Sequence, residues 1–114
     1  MATPDKILTL LLDQKKGIKV AVNDIILLRG DANYTNFFFQ HRKKFTVSHS
    51  LKYFEERLLC NGFLRIHRSY LVNSKFIKTT NLDELTVTLM DGTELKVARR
   101  RMNTLKTIKK IQKL

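Results

Sequence analysis

The sequence contains one cysteine, Cys60, so no intramolecular disulfide can form, and a reducing compartment is the matching expectation. Cys60 closes the apolar Leu58-Leu59 pair, a context that predicts a buried small hydrophobe rather than a reactive thiol. Tryptophan is absent, and Pro4 is the only proline. With four glycines among 114 residues there is no Pro/Gly-rich linker, so one domain spanning residues 1–114 is expected. No apolar run approaches the roughly 18 residues that cross a membrane, and residues 1–5 are too polar to open a secretory signal. A cytoplasmic protein without membrane association is the expectation.

Groupings that support catalysis are also missing. The histidines His41, His49 and His67 share no zinc-type spacing with each other or with Cys60. There is no glycine-rich phosphate loop, no Cys-x-x-Cys and no serine elbow. Asp83 and Glu84 are adjacent carboxylates, but neighbours on a strand point to opposite faces, so a solvated turn suits them better than an acid–base site. The expectation is a non-enzyme with no cofactor and no metal.

Acid is scarce against an abundance of base. Lys and Arg number 22 against 10 Asp and Glu, a net charge of +12. No acid lies between Asp31 and Glu55, between Glu56 and Asp83, or after Glu94. Beyond Glu94 come Lys96, Arg99, Arg100, Arg101, Lys106, Lys109, Lys110 and Lys113. Such acid-free stretches can fold into one positive face for an anionic partner: nucleic acid, an acidic protein or an acidic membrane surface.

What is present is a series of short β segments. Residues 6–12 form an apolar run too short for an ordinary helix, and 13–17 read as a turn. Strands are predicted at 18–22, 25–28, 34–40, 45–47, 63–66, 69–72, 76–80, 85–89 and 95–98, with residues 29–33 as a loop and 41–44 as a basic turn. Phe37-Phe38-Phe39 reads as a strand with a core on both faces. Ser48 to Ser50 offer N-caps for one internal helix that buries Leu51, Phe54, Leu58 and Leu59, and Asn61-Gly62 stops it. Asp91-Gly92 marks a hairpin turn. From Arg99 onward, Met102, Leu105, Ile108 and Ile111 suit a basic amphipathic helix. The fold class is mainly β, sandwich-like or barrel-like, with no helix-turn-helix pattern.

Three polar loops carry residue types that read base edges or hold phosphates. The first contains Asn33, Tyr34, Thr35 and Asn36, the second Arg65, His67, Arg68 and Ser69, the third Arg99, Arg100 and Arg101. At the second loop, Phe-Leu-Arg-Ile-His-Arg-Ser-Tyr-Leu-Val-Asn at 63–73 resembles the signature of the LytTR DNA-binding domain family: an aromatic, Arg-x-His-Arg-Ser, then apolar residues ending in Val-Asn. Asp24-Ile25-Ile26-Leu27 ahead of Asn33-Tyr34, Ser50-Leu51 with Leu58, and Leu89-Met90-Asp91-Gly92 with 95–99 agree in order and spacing. The resemblance covers roughly residues 6 to 106.

It implies an elongated β-β-β sandwich of about ten strands, in keeping with the segments above. It also implies a transcription regulator's domain that binds double-stranded DNA at a direct repeat with a second copy, its loops entering successive major grooves with a minor-groove contact between. Such domains commonly follow a receiver domain in two-component response regulators, for which this chain has no room, so a stand-alone domain or a C-terminal fragment in a sensor-kinase pathway is expected. The resemblance assigns base contacts to Thr35, Arg68 (the middle contact) and Arg100. It places Asn33, Tyr34 and Asn36 near the backbone, Ser69 as a phosphate donor, Arg99 and Arg101 in support, and Asn103 and Lys106 near phosphates. His67 either contacts a base or fixes the second loop through hydrogen bonds. Two departures stand out: Arg29 where members often carry Glu, which adds phosphate attraction at the first loop, and Ala98 where they often carry Ser.

Two further readings differ in partner. Phe37-Phe38-Phe39 could stack bases in a module for RNA, or the basic surface could hold an acidic protein. The tail from Arg99 could lie on an anionic membrane, although its apolar face is narrow and has no Trp or Phe.

Overall fold

The computed structural model describes residues 9–13, 16–40 and 44–112. Among the described residues, ten strands form three antiparallel sheets. β1 (Thr9–Asp13) pairs with β2 (Ile18–Ala21). The central sheet runs in the order β5-β4-β3-β7-β6, built from β3 (Ile25–Asp31), β4 (Tyr34–Phe39), β5 (Phe45–Val47), β6 (Phe63–His67) and β7 (Tyr70–Asn73). The third sheet runs β10-β9-β8, from β8 (Ile77–Asn81), β9 (Thr86–Leu89) and β10 (Glu94–Lys96).

The central sheet is apolar on both faces, and the other two sheets cover it. On one face Leu28, Phe37 and Phe39 pack with Leu10, Leu12, Val20 and helix α1 (Leu51–Leu58), which contributes Leu51, Phe54 and Leu58. On the other, Leu27, Ile66 and Val72 pack with Val87, Leu89, Leu95 and helix α2 (Met102–Gln112), which contributes Leu105 and Ile108. Phe38 turns to this second core while Phe37 and Phe39 turn to the first, as the period-2 alternation of a strand demands. The result is a mainly β, three-sheet sandwich with one internal helix and a basic terminal helix.

Local chemistry sets the boundaries. Ser50 Oγ accepts from Tyr53 N–H at 3.3 Å and caps α1. The chain then tightens into a 3-10 turn at 59–61 and reverses at Gly62, whose φ of 83° suits glycine. Gly30 faces α1: a Cβ there would stand 3.1 Å from Leu51 Cβ, so its bare backbone lets the helix lie close to β3. Asn73, the last residue of the signature, is buried; its Nδ2 donates to Ile25 O at 2.9 Å and its Oδ1 accepts from Lys75 N–H at 3.1 Å.

Several expectations need correction. The stretch 29–33 is not a loop, because β3 continues through Asp31 and only Ala32 and Asn33 form the turn, with Ala32 at φ 54°. Leu85 does not begin β9; its φ of 54° places it in the preceding turn. Leu59 is 52% exposed and Cys60 is exposed, because the helix ends at Leu58 and the 3-10 turn carries both off the buried face. The side chain of Ile111, the start of the first apolar run and most of the basic turn at 41–44 lie outside the described residues.

Candidate nucleic-acid interface

The order of the central sheet brings the polar loops into a row. β3 and β7 are antiparallel with Arg29 opposite Tyr70, so the β3–β4 turn lies beside the β6–β7 turn. Gly30 N–H donates to Ser69 O at 2.9 Å and joins them. On the far side of β6, Ala98 N–H donates to Ile66 O at 2.9 Å, which brings in the segment leading to Arg99, Arg100 and Arg101. On the near side, β5 runs beside β4 with Val47 opposite Thr35, so residues 48–50 emerge next to the first turn. A cleft of about 430 Å³ opens between the first two turns and the start of α1, lined by residues that include Asp31, Ser50, Lys52, Arg65, Arg68 and Ser69.

The second loop is built from its own signature. Arg65 turns back on it: Nε donates to His67 O at 2.8 Å, one terminal nitrogen donates to Arg68 O at 2.6 Å, and the other pairs with Glu55 of α1. His67 Nδ1 accepts from Ser69 N–H at 3.1 Å, which puts the neutral ring's proton on Nε2. Through this bond His67 helps to hold the turn, which is the structural one of the two roles expected of it. Arg68, between these anchors, is exposed, and among the described residues its guanidinium has no hydrogen-bond or ion-pair partner. Of the two arginines in the signature, one holds the turn and the other is presented by it.

The third segment is a helix entry rather than a loop. Residues 99–101 form a 3-10 turn, closed by Arg101 N–H donating to Ala98 O at 2.8 Å, and α2 follows directly. Arg99, Arg100, Asn103 and Lys106 are exposed, and Arg101 is half-buried.

The first loop differs most from expectation. Thr35 is fully buried and its hydroxyl donates to His49 O at 2.7 Å, so its side chain offers nothing to a ligand. Asn36 is 7% exposed and its Oδ1 accepts from Thr46 Oγ1 at 2.6 Å. Both belong to the β4–β5 ladder, and the exposed side chains of this loop are Asp31, Ala32, Asn33 and Tyr34. Arg29 is exposed and lies over the Phe38 ring at 5.7 Å, beside the groove toward the third sheet. Reading the sequence alone missed Lys52, an exposed residue that lines the cleft, and the inward role of Arg65. A signal for the latter was available in Glu55-Glu56, the one acidic pair between Asp31 and Asp83, at least one member of which could take a cationic partner.

Among the described residues no group of three or more His, Cys, Asp or Glu side chains could hold a metal, and no helix is long and apolar enough to cross a membrane. A three-sheet sandwich that lines exposed arginines along one rim defines a class of β-sheet, loop-presenting DNA-binding domains. The family model for the LytTr DNA-binding domain matches residues 15–110, and the chain belongs to that family. A solved LytTr DNA-binding domain from Bacillus cereus, assigned by its description to a methyl-accepting/DNA response regulator, is similar in fold, with a TM-score of 0.72 and 24% identity over 88% of this chain and 94% of that one. None of the curated proteins compared gives a significant match.

Proposed function

We propose that this DNA-binding domain recognises a specific duplex sequence for a transcription regulator, laying its rim along one face of the DNA. Arg68 and Arg100 contact bases, and a second copy occupies the other half of a direct repeat. The observation that carries this reading is the pair of exposed arginines on braced backbone: Arg68 on a turn held by Arg65 and His67, Arg100 on the 3-10 entry to α2. A guanidinium held in this way can meet guanine O6 and N7 in bidentate fashion, or enter a narrow minor groove. Asn33, Tyr34, Ser69, Arg99, Arg101, Asn103 and Lys106 flank these readers and suit phosphate contacts. Thr35 and Asn36 have no part in this set.

The partner is duplex DNA rather than RNA, because the Phe37-Phe38-Phe39 strand that could have stacked bases is spent on two cores, with Phe37 and Phe39 buried. Selection from a random duplex library, followed by footprinting, tests the proposal. The expected result is a recurrent motif in two direct copies, bound well above random duplex, single strands and RNA at the same salt. Equal binding to selected and random duplex would overturn it.

A further inference from the structure

We infer that His49 is a specificity-determining residue, reading a guanine edge at the end of the rim where Thr35 was expected to act. The inference rests on the duplex-reading function proposed above. A reader must be exposed and yet held in place. The side chains of the β3–β4 turn are exposed, but no hydrogen bond among the described residues holds them. His49 meets both conditions. It is exposed, and its backbone carbonyl is tied down by the buried Thr35 hydroxyl at 2.7 Å. Its ring lies on Tyr53, with centroids 4.1 Å apart and planes within 7°. Phe54 meets it edge-on at 6.0 Å.

Tyr53 is itself clamped. The Arg57 guanidinium lies 3.5 Å over its ring, and Arg57 also donates to Tyr53 O at 2.8 Å. Two groups this close to one ring must occupy opposite faces. The column His49–Tyr53–Arg57 therefore fixes the imidazole plane from one side and leaves its nitrogen edge free. Among the described residues neither ring nitrogen of His49 has a hydrogen-bond partner. An imidazole N–H is a donor, and guanine N7 and O6 are the adjacent acceptors of the major groove. Adenine offers N7 beside an amino donor, so a single fixed N–H distinguishes guanine less by strength than by tolerance of its placement near O6.

Three variants test this, each used as the whole chain in the duplex-library selection and in direct binding. His49→Phe keeps a ring on Tyr53 but has no N–H. His49→Ala removes the ring. Thr35→Val frees the carbonyl while leaving His49 in place. The expected result is that wild type shows a guanine preference at one position that both His49 variants lose, with about tenfold weaker binding to the selected duplex and unchanged binding to random duplex. Thr35→Val weakens the same preference without shifting others. An unchanged base preference in His49→Phe, or equal loss on selected and random duplex, overturns the assignment while leaving the proposed function intact. A wild-type chain without any base preference overturns both.

Discussion

Arg65 and Glu55 form an ion pair that fastens helix α1 to the turn carrying Arg68. Both side chains are largely buried, at 14% and 19% exposure, and the remaining guanidinium donors hold the carbonyls of His67 and Arg68. Charge, planarity and fork geometry are all in use, so lysine cannot replace this arginine. Arg65→Lys should lower stability by about 1–3 kcal/mol in urea unfolding, because two carbonyls lose charge-assisted partners. It should also weaken binding to the selected duplex about tenfold with a smaller loss on random duplex, since the charge stays and the turn loosens. Wild-type binding by Arg65→Lys would show that Arg68 needs no such brace. Glu55→Gln should give a smaller stability loss and a milder binding loss, because the two carbonyl bonds remain.

Asn73 ends the signature and touches no surface. Its Nδ2 crosses to Ile25 O, 48 positions away in sequence, and ties the start of β3 to the end of β7. Asn73→Leu fills similar volume but leaves Ile25 O and Lys75 N–H without their side-chain partner. The expected cost is about 2–3 kcal/mol of unfolding free energy, measured by denaturant titration, with base preference unchanged in whatever fraction stays folded. A shift in base preference would instead place Asn73 in the reading surface.

The elements most legible in the sequence were those where periodicity and punctuation agree. Thr86 to Leu89 alternates and ends at Asp91-Gly92; Leu51, Phe54 and Leu58 repeat at helical spacing behind a serine cap. Leu59 and Cys60 escaped because that spacing applies only while the helix is α, and the 3-10 turn rotates them outward. Thr35 escaped for a related reason. A polar residue beside a turn looks like a loop side chain, but β3 runs three residues closer to the turn than composition suggests, β4 starts at Tyr34 as expected, and the pleat directs Thr35 inward. The arginines of the signature could be counted but not sorted, because whether a guanidinium faces its own backbone or a ligand depends on Glu55, which only the fold brings near.

Asp91 gives a pH dependence whose sign follows from its partners. The Thr93 backbone N–H, at 2.9 Å, and the Thr93 hydroxyl hold its carboxyl below the ordinary value of 3.8. A depressed carboxylate contributes stability above its unfolded value and loses it as pH falls through the folded one. The group is mostly exposed, so solvent screening keeps the effect to about a few tenths of a kcal/mol. Asp91→Asn should therefore lower stability by about a few tenths of a kcal/mol at neutral pH, a difference that closes as pH falls below about 4, measured by thermal unfolding across pH. A larger effect at neutral pH would point to a role beyond the turn.

Arg100 and Lys106 should separate base reading from phosphate attraction. Both are exposed, Arg100 in the 3-10 turn two positions before the start of α2 and Lys106 four positions after it, but they differ in chemistry. Arg100 carries a planar fork on the braced helix entry; Lys106 carries a point charge on a flexible stem. Arg100→Ala should cost about 1–3 kcal/mol on the selected duplex and relax preference at one base position, with little change on random duplex. Lys106→Ala should weaken selected and random duplex alike, and lower the slope of log affinity against log salt by about one. Titrations of both variants on both duplexes at several salt concentrations distinguish the two behaviours. Equal losses for Arg100→Ala on selected and random DNA would remove it from the reading set and reduce the triple arginine to electrostatic anchorage.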